Sequence, residues 1–481
     1  MAPHFILMKK LFFIMVLLGS ISVNAQSIDK YFESIRNNTA GLIAFFSAMP
    51  KGGDLHNHFS GSIYAETYIS YVVQKDYFID TSNLKVDTFK NNSDCLRFSQ
   101  LEKMKILPAV KQRLIQKWSV KDYNGVSYPS DLQFFETFSG FGIANNSFRS
   151  IETGLLELKQ RAQRENVTYI ETMFTSIPCD NTKSIDAGYN NILENAQGRF
   201  DEAYTATTLE QLYQQIEELN VKSCAANFNS SLESLHNRLK IDDSTFTMRY
   251  QNYVTRVVPP VDVFKALVLA FESANSCPLI VGVNIVAPEN NETSMRDYWL
   301  HMQMFRFCHS KYPNVKYSMH AGELTLGLVK PEELTWHITA AVRTAGANRI
   351  GHGVDMPYET KCYDLLKFMA KTNTAIEINL YSNEFILKVK EDQHPFNMYK
   401  EFNVPIVICT DDAGVLRSNL IQQYVLLAKR YKNVTYRDIK KYVYNSIEYS
   451  FIKEPAIKKK LKEQLTSRFE HFEKEVLSAH Q

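Results

Sequence analysis

Histidine, aspartate and glutamate residues occur in four short motifs that together could hold a metal ion and activate water. Imidazole nitrogens combined with a carboxylate oxygen are a donor set that suits Zn²⁺. A bound Zn²⁺ lowers the pKa of a water molecule from about 16 to about 7, so hydroxide becomes available at neutral pH. The motifs are His56-Asn57-His58, His320-Ala321-Gly322-Glu323, Gly351-His352-Gly353 and Thr410-Asp411-Asp412.

Each of the polar residues can be given a role in such a centre. Two titratable groups remain once the metal has its ligands. His352 could take the proton of the water or stabilise the attacking hydroxide, and Glu323 could donate a proton to the substrate if its pocket keeps it protonated. Asp412 is next to a ligand in sequence and points elsewhere, which suits a substrate contact. The predicted ligands of one zinc ion are His56, His58, His320 and Asp411.

Each motif follows a run of residues that is typical of a buried β-strand. Side chains alternate along a strand, so His56 and His58 are expected to point to the same side. The runs alternate with amphipathic helical patterns, the clearest of which is 331–346, with Pro331 at its start and Gly346 at its end. The predicted strands are 54–58, 167–174, 246–257, 279–286, 314–319, 348–351, 374–379 and 404–409.

This alternation of strands and helices predicts an α/β fold, a (β/α)8 TIM barrel with its site at the carboxyl ends of the strands. An open doubly wound sheet is the alternative. It is weaker because the chain has no glycine-rich phosphate-binding motif. In addition, ligands from the first, middle and last strands converge only if the sheet closes.

The ends of the chain and one long insertion complete the predicted organisation. Residues 1–25 combine Lys9-Lys10, an apolar run too short to span a bilayer and Ala25, which is the pattern of a signal peptide. We therefore expect an exported protein, periplasmic or secreted, with no membrane segment after signal removal. The predicted segments are an N-terminal helical lead-in at 26–49, the barrel at 50–481, an insertion after the first strand at 74–130 and a C-terminal helix at 455–481.

Composition excludes some partners. The chain is 45% hydrophobic and 22% charged with a formal net charge of +2, which is ordinary for a soluble globular protein. No basic patch interleaved with aromatic residues stands out, so a nucleic-acid partner is not expected. The seven cysteines include no CxxC motif, and an exported chain could form a bridge that involves Cys179. An oligomer is compatible with the sequence.

The four motifs, in this order, resemble those of the adenosine deaminases, metal-dependent (β/α)8 barrels of the amidohydrolase superfamily. The resemblance covers roughly residues 50 to 450 and includes Gly61, three residues after the second histidine. The signal peptide, the segment Met49–Gly53 and the insertion make the layout similar to that of the secreted, growth-factor-related adenosine deaminases.

The resemblance implies roles for individual residues. Glu323 would protonate purine N1 while hydroxide adds to C6, and His352 would act as the base. Asp412 would accept a hydrogen bond from N7. Ala287 would offer its backbone N–H to N3, although the family usually has glycine there. Ser60 stands where many cytosolic members have an aspartate that contacts the ribose, so substrate recognition is expected to differ.

The leading hypothesis is therefore zinc-dependent hydrolytic deamination of adenosine, or of a close aminopurine nucleoside, to inosine and ammonia. A second hypothesis is a barrel hydrolase of the same superfamily that acts on a different aminopurine or on an amide. A third is a catalytically silent protein that binds nucleosides or acts in signalling. The residues interpreted as structural are His301, His309 and His337. Glu171 and Glu377 could be barrel acids or paired structural carboxylates, and both are left out of the predicted site.

Overall fold

The computed structural model of the chain describes residues 28–126, 128–145, 148–179 and 185–479. The predicted signal peptide, residues 1–25, lies outside the described residues. The lead-in at 26–49 contains a helix over residues 28–35 and a second helix, Thr39–Ala48. Within the described ranges, no helix has both the length and the apolar character needed to cross a bilayer.

Eight of the strands form one parallel sheet, hydrogen-bonded in the order β1-β5-β6-β7-β8-β9-β10-β11, and the other three form a small antiparallel sheet. Every predicted strand is present, with ends shifted by a few residues. The strands are β1 (Gly53–His58), β2 (Phe78–Asp80), β3 (Lys85–Asp87), β4 (Cys95–Arg97), β5 (Tyr169–Thr175), β6 (Thr247–Thr255), β7 (Ile280–Val286), β8 (Lys316–Ala321), β9 (Arg349–His352), β10 (Ala375–Ile378) and β11 (Ile406–Ile408).

The first and last strands of the large sheet meet, so the sheet closes into a barrel. A parallel bridge joins Asn57 to Asp411. Around it, the Asp411 amide donates to the carbonyl of His56 at 2.9 Å. The carboxylate of Asp54 accepts from the amide of Thr410 at 3.2 Å and from its hydroxyl at 2.5 Å. The predicted barrel is confirmed, and the open doubly wound alternative is wrong.

Helices follow the strands along the chain, as a barrel with parallel strands requires. In addition to the lead-in, their bounds are Phe59–Ser62, Ala65–Gln74, Phe98–Lys103, Leu107–Lys117, Ser130–Asn145, Phe148–Arg164, Gly188–Arg199, Glu202–Glu217, Val221–Arg238, Pro260–Ser276, Glu292–Lys311, Cys362–Thr372, Leu380–Leu387, Phe396–Glu401, Leu420–Arg430, Tyr436–Glu448 and Pro455–Ala479.

The segment predicted as one regular helix, 331–346, is broken instead. The carboxylate of Glu359 accepts the backbone N–H groups of Ile338 at 2.6 Å and Thr339 at 3.1 Å. A side chain thus takes the place of backbone acceptors, and helical structure starts again at this point. Gly346 ends it with a φ of +82°, as predicted. The pieces are a 3₁₀ turn at Pro331–Thr335, a short helix at His337–Thr339 and a π-helix at Ala340–Ala345.

Two insertions flank the end of the barrel that carries the site. The insertion at 74–130 holds the small sheet, and its Val120 amide donates to the carbonyl of Val415 at 2.9 Å, next to the last motif. The three helices between β5 and β6, over residues 188–238, were not anticipated. A disulfide joins Cys179, in the loop after β5, to Cys224 in the third of these helices.

We predict that Thr410→Val weakens the closure of the barrel. Valine keeps the shape of the side chain but removes the hydroxyl that donates to the buried carboxylate of Asp54. The free energy of unfolding should fall by about 1–3 kcal/mol, measured by urea denaturation.

The matched control is Thr207→Val, because Thr207 is exposed and its hydroxyl donates to the carbonyl of Ala203 within its own helix. That change should stay within about 0.5 kcal/mol. Equal stabilities for the Thr410 variant and the wild type would show that the side-chain contact does not support closure.

Candidate active site

The carboxyl ends of β1, β8, β9 and β11 bring the four motifs together at one end of the barrel. His56 and His58 do point to the same side of β1, with ring centroids 5.4 Å apart. The ring of His320, on β8, lies 4.5 Å from His56 and 5.0 Å from His58. His352 ends β9, and its ring lies 4.9 Å from His56. Four imidazoles from three strands therefore share one small volume.

The predicted ligand atoms converge in a way that fits a metal ion. The Nε2 atoms of His58 and His320 are 3.1 Å apart. The Asp411 carboxylate places Oδ1 at 3.4 Å from His58 Nε2 and 3.6 Å from His56 Nε2. The buried Nε2 of His56 has no hydrogen-bond partner within the described part of the chain. Several nitrogens facing one carboxylate form a donor set that a divalent cation would satisfy.

The orientation of His56 depends on Glu377, which sequence reasoning had left out of the predicted site. Glu377 Oε2 lies 2.7 Å from His56 Nδ1, which directs Nε2 of the ring towards the other ligands. Burial raises the pKa of Glu377, but Arg349 and His56 outweigh it and lower this pKa to about 2. The glutamate is therefore ionised. A charged residue inside an apolar strand was the sequence signal for this role.

His320 is oriented by Asn284, a residue that sequence reasoning missed. The side-chain oxygen of Asn284 lies 3.0 Å from His320 Nδ1, so this nitrogen carries the proton and Nε2 is free to bind a cation. Burial, together with His56 and His58, holds the pKa of His320 well below its ordinary value. No motif marks Asn284, because it lies within the apolar run of β7.

Glu323 and His352 form a proton donor and a proton acceptor beside the ligands. Burial, and then the charges of Asp411 and Glu289, raise the pKa of Glu323 well above its usual range. Burial lowers the pKa of His352 to about 3, so its imidazole is neutral. The Oε1 of Glu323 lies 3.5 Å from the Nδ1 of His352. At neutral pH the pair therefore combines a protonated carboxyl with a neutral base.

The adjacent aspartates Asp411 and Asp412 differ in charge. Burial alone would raise the pKa of Asp411, but His56 and His352 hold it well below its ordinary value. Burial and the charge of Asp411 raise the pKa of Asp412 well above its ordinary value. The predicted ligand Asp411 is thus anionic, while Asp412 is a neutral carboxyl group.

Three residues of the site have left-handed backbone conformations. Ala287, His352 and Asp411 have φ angles of +86°, +71° and +64°, in the region that favours glycine. Such conformations cost about 1–3 kcal/mol each and cluster at functional sites. Gly61 is required for a different reason, because a Cβ there would lie 1.6 Å from Oδ1 of Asp412.

A cavity of about 360 Å³ opens onto this cluster. It is in the size range of small-molecule sites. The three predicted substrate contacts, Ser60, Ala287 and Asp412, all line it. The residues of its wall that sequence reasoning did not identify are mostly aromatic or aliphatic, namely Phe134, Phe135, Phe138, Tyr253, Thr255, Val286, Pro288 and Ile386.

Comparison of the sequence with known proteins gives a consistent match. A family model described as adenosine deaminase matches residues 269–468. An adenosine deaminase from Clostridium kluyveri is 30% identical over 199 residues, which are 41% of this chain and 53% of that relative. The chain thus spans about half the length of this curated relative.

Solved structures show the same fold. An N6-methyl-AMP deaminase from Arabidopsis thaliana has 17% identity and a TM-score of 0.55, with 88% of this chain and 98% of that chain covered. An amidohydrolase from Burkholderia ambifaria, solved with bound Zn, has 14% identity and a TM-score of 0.52, with 91% and 94% covered. The family model and the curated relative show that part of this chain is similar to adenosine deaminases, and the solved structures share its barrel fold.

Proposed function

We propose that this protein is a zinc-dependent deaminase that converts adenosine, or a close aminopurine nucleoside, to inosine and ammonia. One observation carries the proposal: a protonated Glu323 and a neutral His352 face the same cavity as the metal-type donor set. Hydrolysis of an amino-substituted purine needs such a donor, such an acceptor and an activated water. Similarity to adenosine deaminases supports this reaction over cleavage of an amide.

His56, His58, His320 and Asp411 would hold one Zn²⁺ ion. The geometry supports this assignment through the 3.1 Å approach of His58 to His320 and through the buried, unpartnered Nε2 of His56. A related barrel was solved with bound Zn. When bound, the ion supplies Lewis-acid chemistry and makes water acidic enough to react near neutral pH.

The remaining side chains bind the purine and move protons. Glu323 donates its proton to N1, which makes C6 more electrophilic. His352 accepts a proton from the water as the new C6–O bond forms. When the C6–N bond breaks, His352 returns this proton to the departing ammonia. The remaining hydroxyl proton on the C6 oxygen passes to the Glu323 carboxylate, which restores the acid and leaves the carbonyl of inosine, so atoms and charge balance.

The hydrogen bond between Asp412 and purine N7 runs in the direction opposite to the one expected from the sequence. Purine N7 carries a lone pair and no hydrogen, so it can only accept a hydrogen bond. The raised pKa of Asp412 keeps its carboxyl group protonated, and its buried Oδ1 has no partner within the described part of the chain. Asp412 therefore donates to N7 instead of accepting from it.

The cavity favours a neutral nucleoside over a nucleotide. No lysine or arginine is among the described residues that line it. A 5′-phosphate would therefore lose its hydration without gaining a cationic partner. One structural neighbour is an N6-methyl-AMP deaminase, so phosphate tolerance is the property in which the two proteins should differ.

Export remains part of the proposal, because it rests on the sequence of residues 1–25. The disulfide between Cys179 and Cys224 supports it, since such bonds persist mainly in oxidising compartments.

The first test is turnover by the chain that begins at Gln26, followed by ultraviolet absorbance. We expect conversion of adenosine to inosine that a chelator abolishes and added Zn²⁺ restores. For AMP, kcat/KM should be lower by about tenfold or more, since no cation faces the phosphate. A zinc-loaded, folded protein that leaves adenosine unchanged would contradict the proposal.

We predict that Glu323→Gln keeps zinc but loses turnover. The amide cannot donate a proton as an acid does, so kcat should fall by about 10²–10⁴-fold. The measurements are steady-state kinetics and zinc content. The control is Glu332→Gln, an exposed glutamate nine residues further along the chain, which should have wild-type kcat. Near wild-type turnover in the Glu323 variant would rule out its role as the acid.

We predict that His58→Ala loses the metal. It removes one of the two nitrogens that approach each other at 3.1 Å, and metal sites with a ligand missing bind weakly. Zinc per chain should drop well below the wild-type value after dialysis, with turnover falling in parallel. His471→Ala, at an exposed histidine, is the control and should retain zinc. Full occupancy in the His58 variant would contradict the ligand assignment.

A further inference from the structure

The acid Glu323 lies on a tight turn that follows β8, and the conformation of this turn decides where its carboxyl group points. Gly322 has a φ of +73°, and a Cβ on it would lie 2.3 Å from Oδ1 of Asp355. The turn is therefore specified by close packing as well as by backbone conformation. Its carbonyl side is held because the Gly322 oxygen accepts from the amides of Val354 at 2.7 Å and Asp355 at 3.2 Å.

The amide side of the turn is held by one buried carboxylate, that of Glu289. Its Oε1 accepts the backbone N–H of Gly322 at 3.1 Å, and its Oε2 accepts that of Glu323 at 2.9 Å. Glu289 is fully buried and comes two residues after Ala287, in the loop after β7. A single side chain therefore binds two successive amides, including that of the acid.

Glu289 is itself held in place from behind. The Nδ1 of His337 lies 2.7 Å from Glu289 Oε1, and the Nη1 of Arg256 lies 4.0 Å from Oε2. The ring of His337 stacks on Tyr298 with centroids 3.7 Å apart. Burial raises the pKa of Glu289, but the hydrogen bond and charge of His337, with Arg256, lower it below its ordinary value. An ionised carboxylate can accept both amides at once.

We propose that Glu289 is a positioning residue, which sets the direction of the Glu323 carboxyl group by binding the backbone on both sides of the turn. The inference rests on the proposed deamination, because it assigns Glu289 an effect on the acid of that reaction. Glu289 is not among the described residues that line the cavity, so it is expected to act without contacting substrate. A displacement of about 1 Å at a catalytic group can cost about 100-fold in rate, so a carboxylate outside the cavity can control turnover.

The isosteric variant Glu289→Gln tests this role. Glutamine offers one oxygen where the carboxylate offers two, so its amide group faces one of the two N–H donors and the turn must shift. We expect kcat to fall by about 10–100-fold while KM stays within about twofold and zinc content is unchanged. A residue that only supports folding would not lower kcat with KM and zinc retained.

The double variant Glu289→Gln with Glu323→Gln is the sharper measurement. If Glu289 acts only through the acid, the double variant should have the kcat of Glu323→Gln alone, because residues that act as one unit are not additive. An additional 10-fold loss in the double variant would overturn the proposal, as would a loss of zinc that parallels the loss of kcat in Glu289→Gln.

His337→Phe provides a second route should Glu289→Gln fold poorly. Phenylalanine can keep the stacking on Tyr298 but removes the N–H that holds Glu289. We expect a severalfold lower kcat at unchanged KM, and wild-type kcat would count against the proposal.

The matched control is Glu165→Gln. Glu165 also uses its carboxylate to accept a backbone N–H, that of Leu420 at 3.2 Å, and it is remote from the turn. It should have wild-type kcat. Failure of the proposed function can be told apart, because in that case the folded, zinc-loaded wild-type protein would itself leave adenosine unchanged.

Discussion

The bridge between Asn57 and Asp411 is the contact on which the site depends. It joins the first strand to the residues that follow the last strand. Asn57 lies between the two histidines of β1, and Asp411 itself carries the carboxylate of the donor set. Without it, ligands from opposite edges of the sheet would be separated by the full width of eight strands. Closure of the barrel and assembly of the metal-type donor set are therefore one event, held by the same few backbone hydrogen bonds around His56 and Asp411.

The second requirement is a balance of buried charge. Inside the barrel, Arg349 donates to Glu171 at 2.8 Å and also to Glu377, and Glu377 in turn contacts His56. The arginine helps to keep the Glu377 carboxylate ionised in a place where burial alone would raise its pKa. The carboxylate of Glu377, which orients the predicted ligand His56, is thus kept charged by an arginine in the interior of the barrel. None of the described residues that line the cavity is a lysine or arginine, and burial raises the pKa values of Glu323 and Asp412.

The sequence predicted the strands and the motif residues because both depend on local signals. Apolar runs identify buried strands, and histidine and acidic residues at their ends are few enough to be recognised. Glu377, Asn284 and Glu289 were not assigned to the site, because their roles depend on which strands are neighbours. The break in the segment 331–346 has the same origin, since Glu359 replaces backbone acceptors across a distance of about twenty residues that no local pattern records.

A common logic links the residues that were missed. Each of them contacts a residue of the predicted site on the side away from the cavity. Glu377 and Asn284 contact the Nδ1 atoms of His56 and His320, and Glu289 accepts from the backbone amides of Gly322 and Glu323. Reacting groups on strand ends and turns have few packing neighbours on the cavity side, because that space must admit substrate. Their direction must therefore be fixed from behind, by polar groups buried deeply enough that water does not compete. In sites of this kind, sequence motifs identify the residues that face the cavity, and the structure identifies the buried residues that orient them.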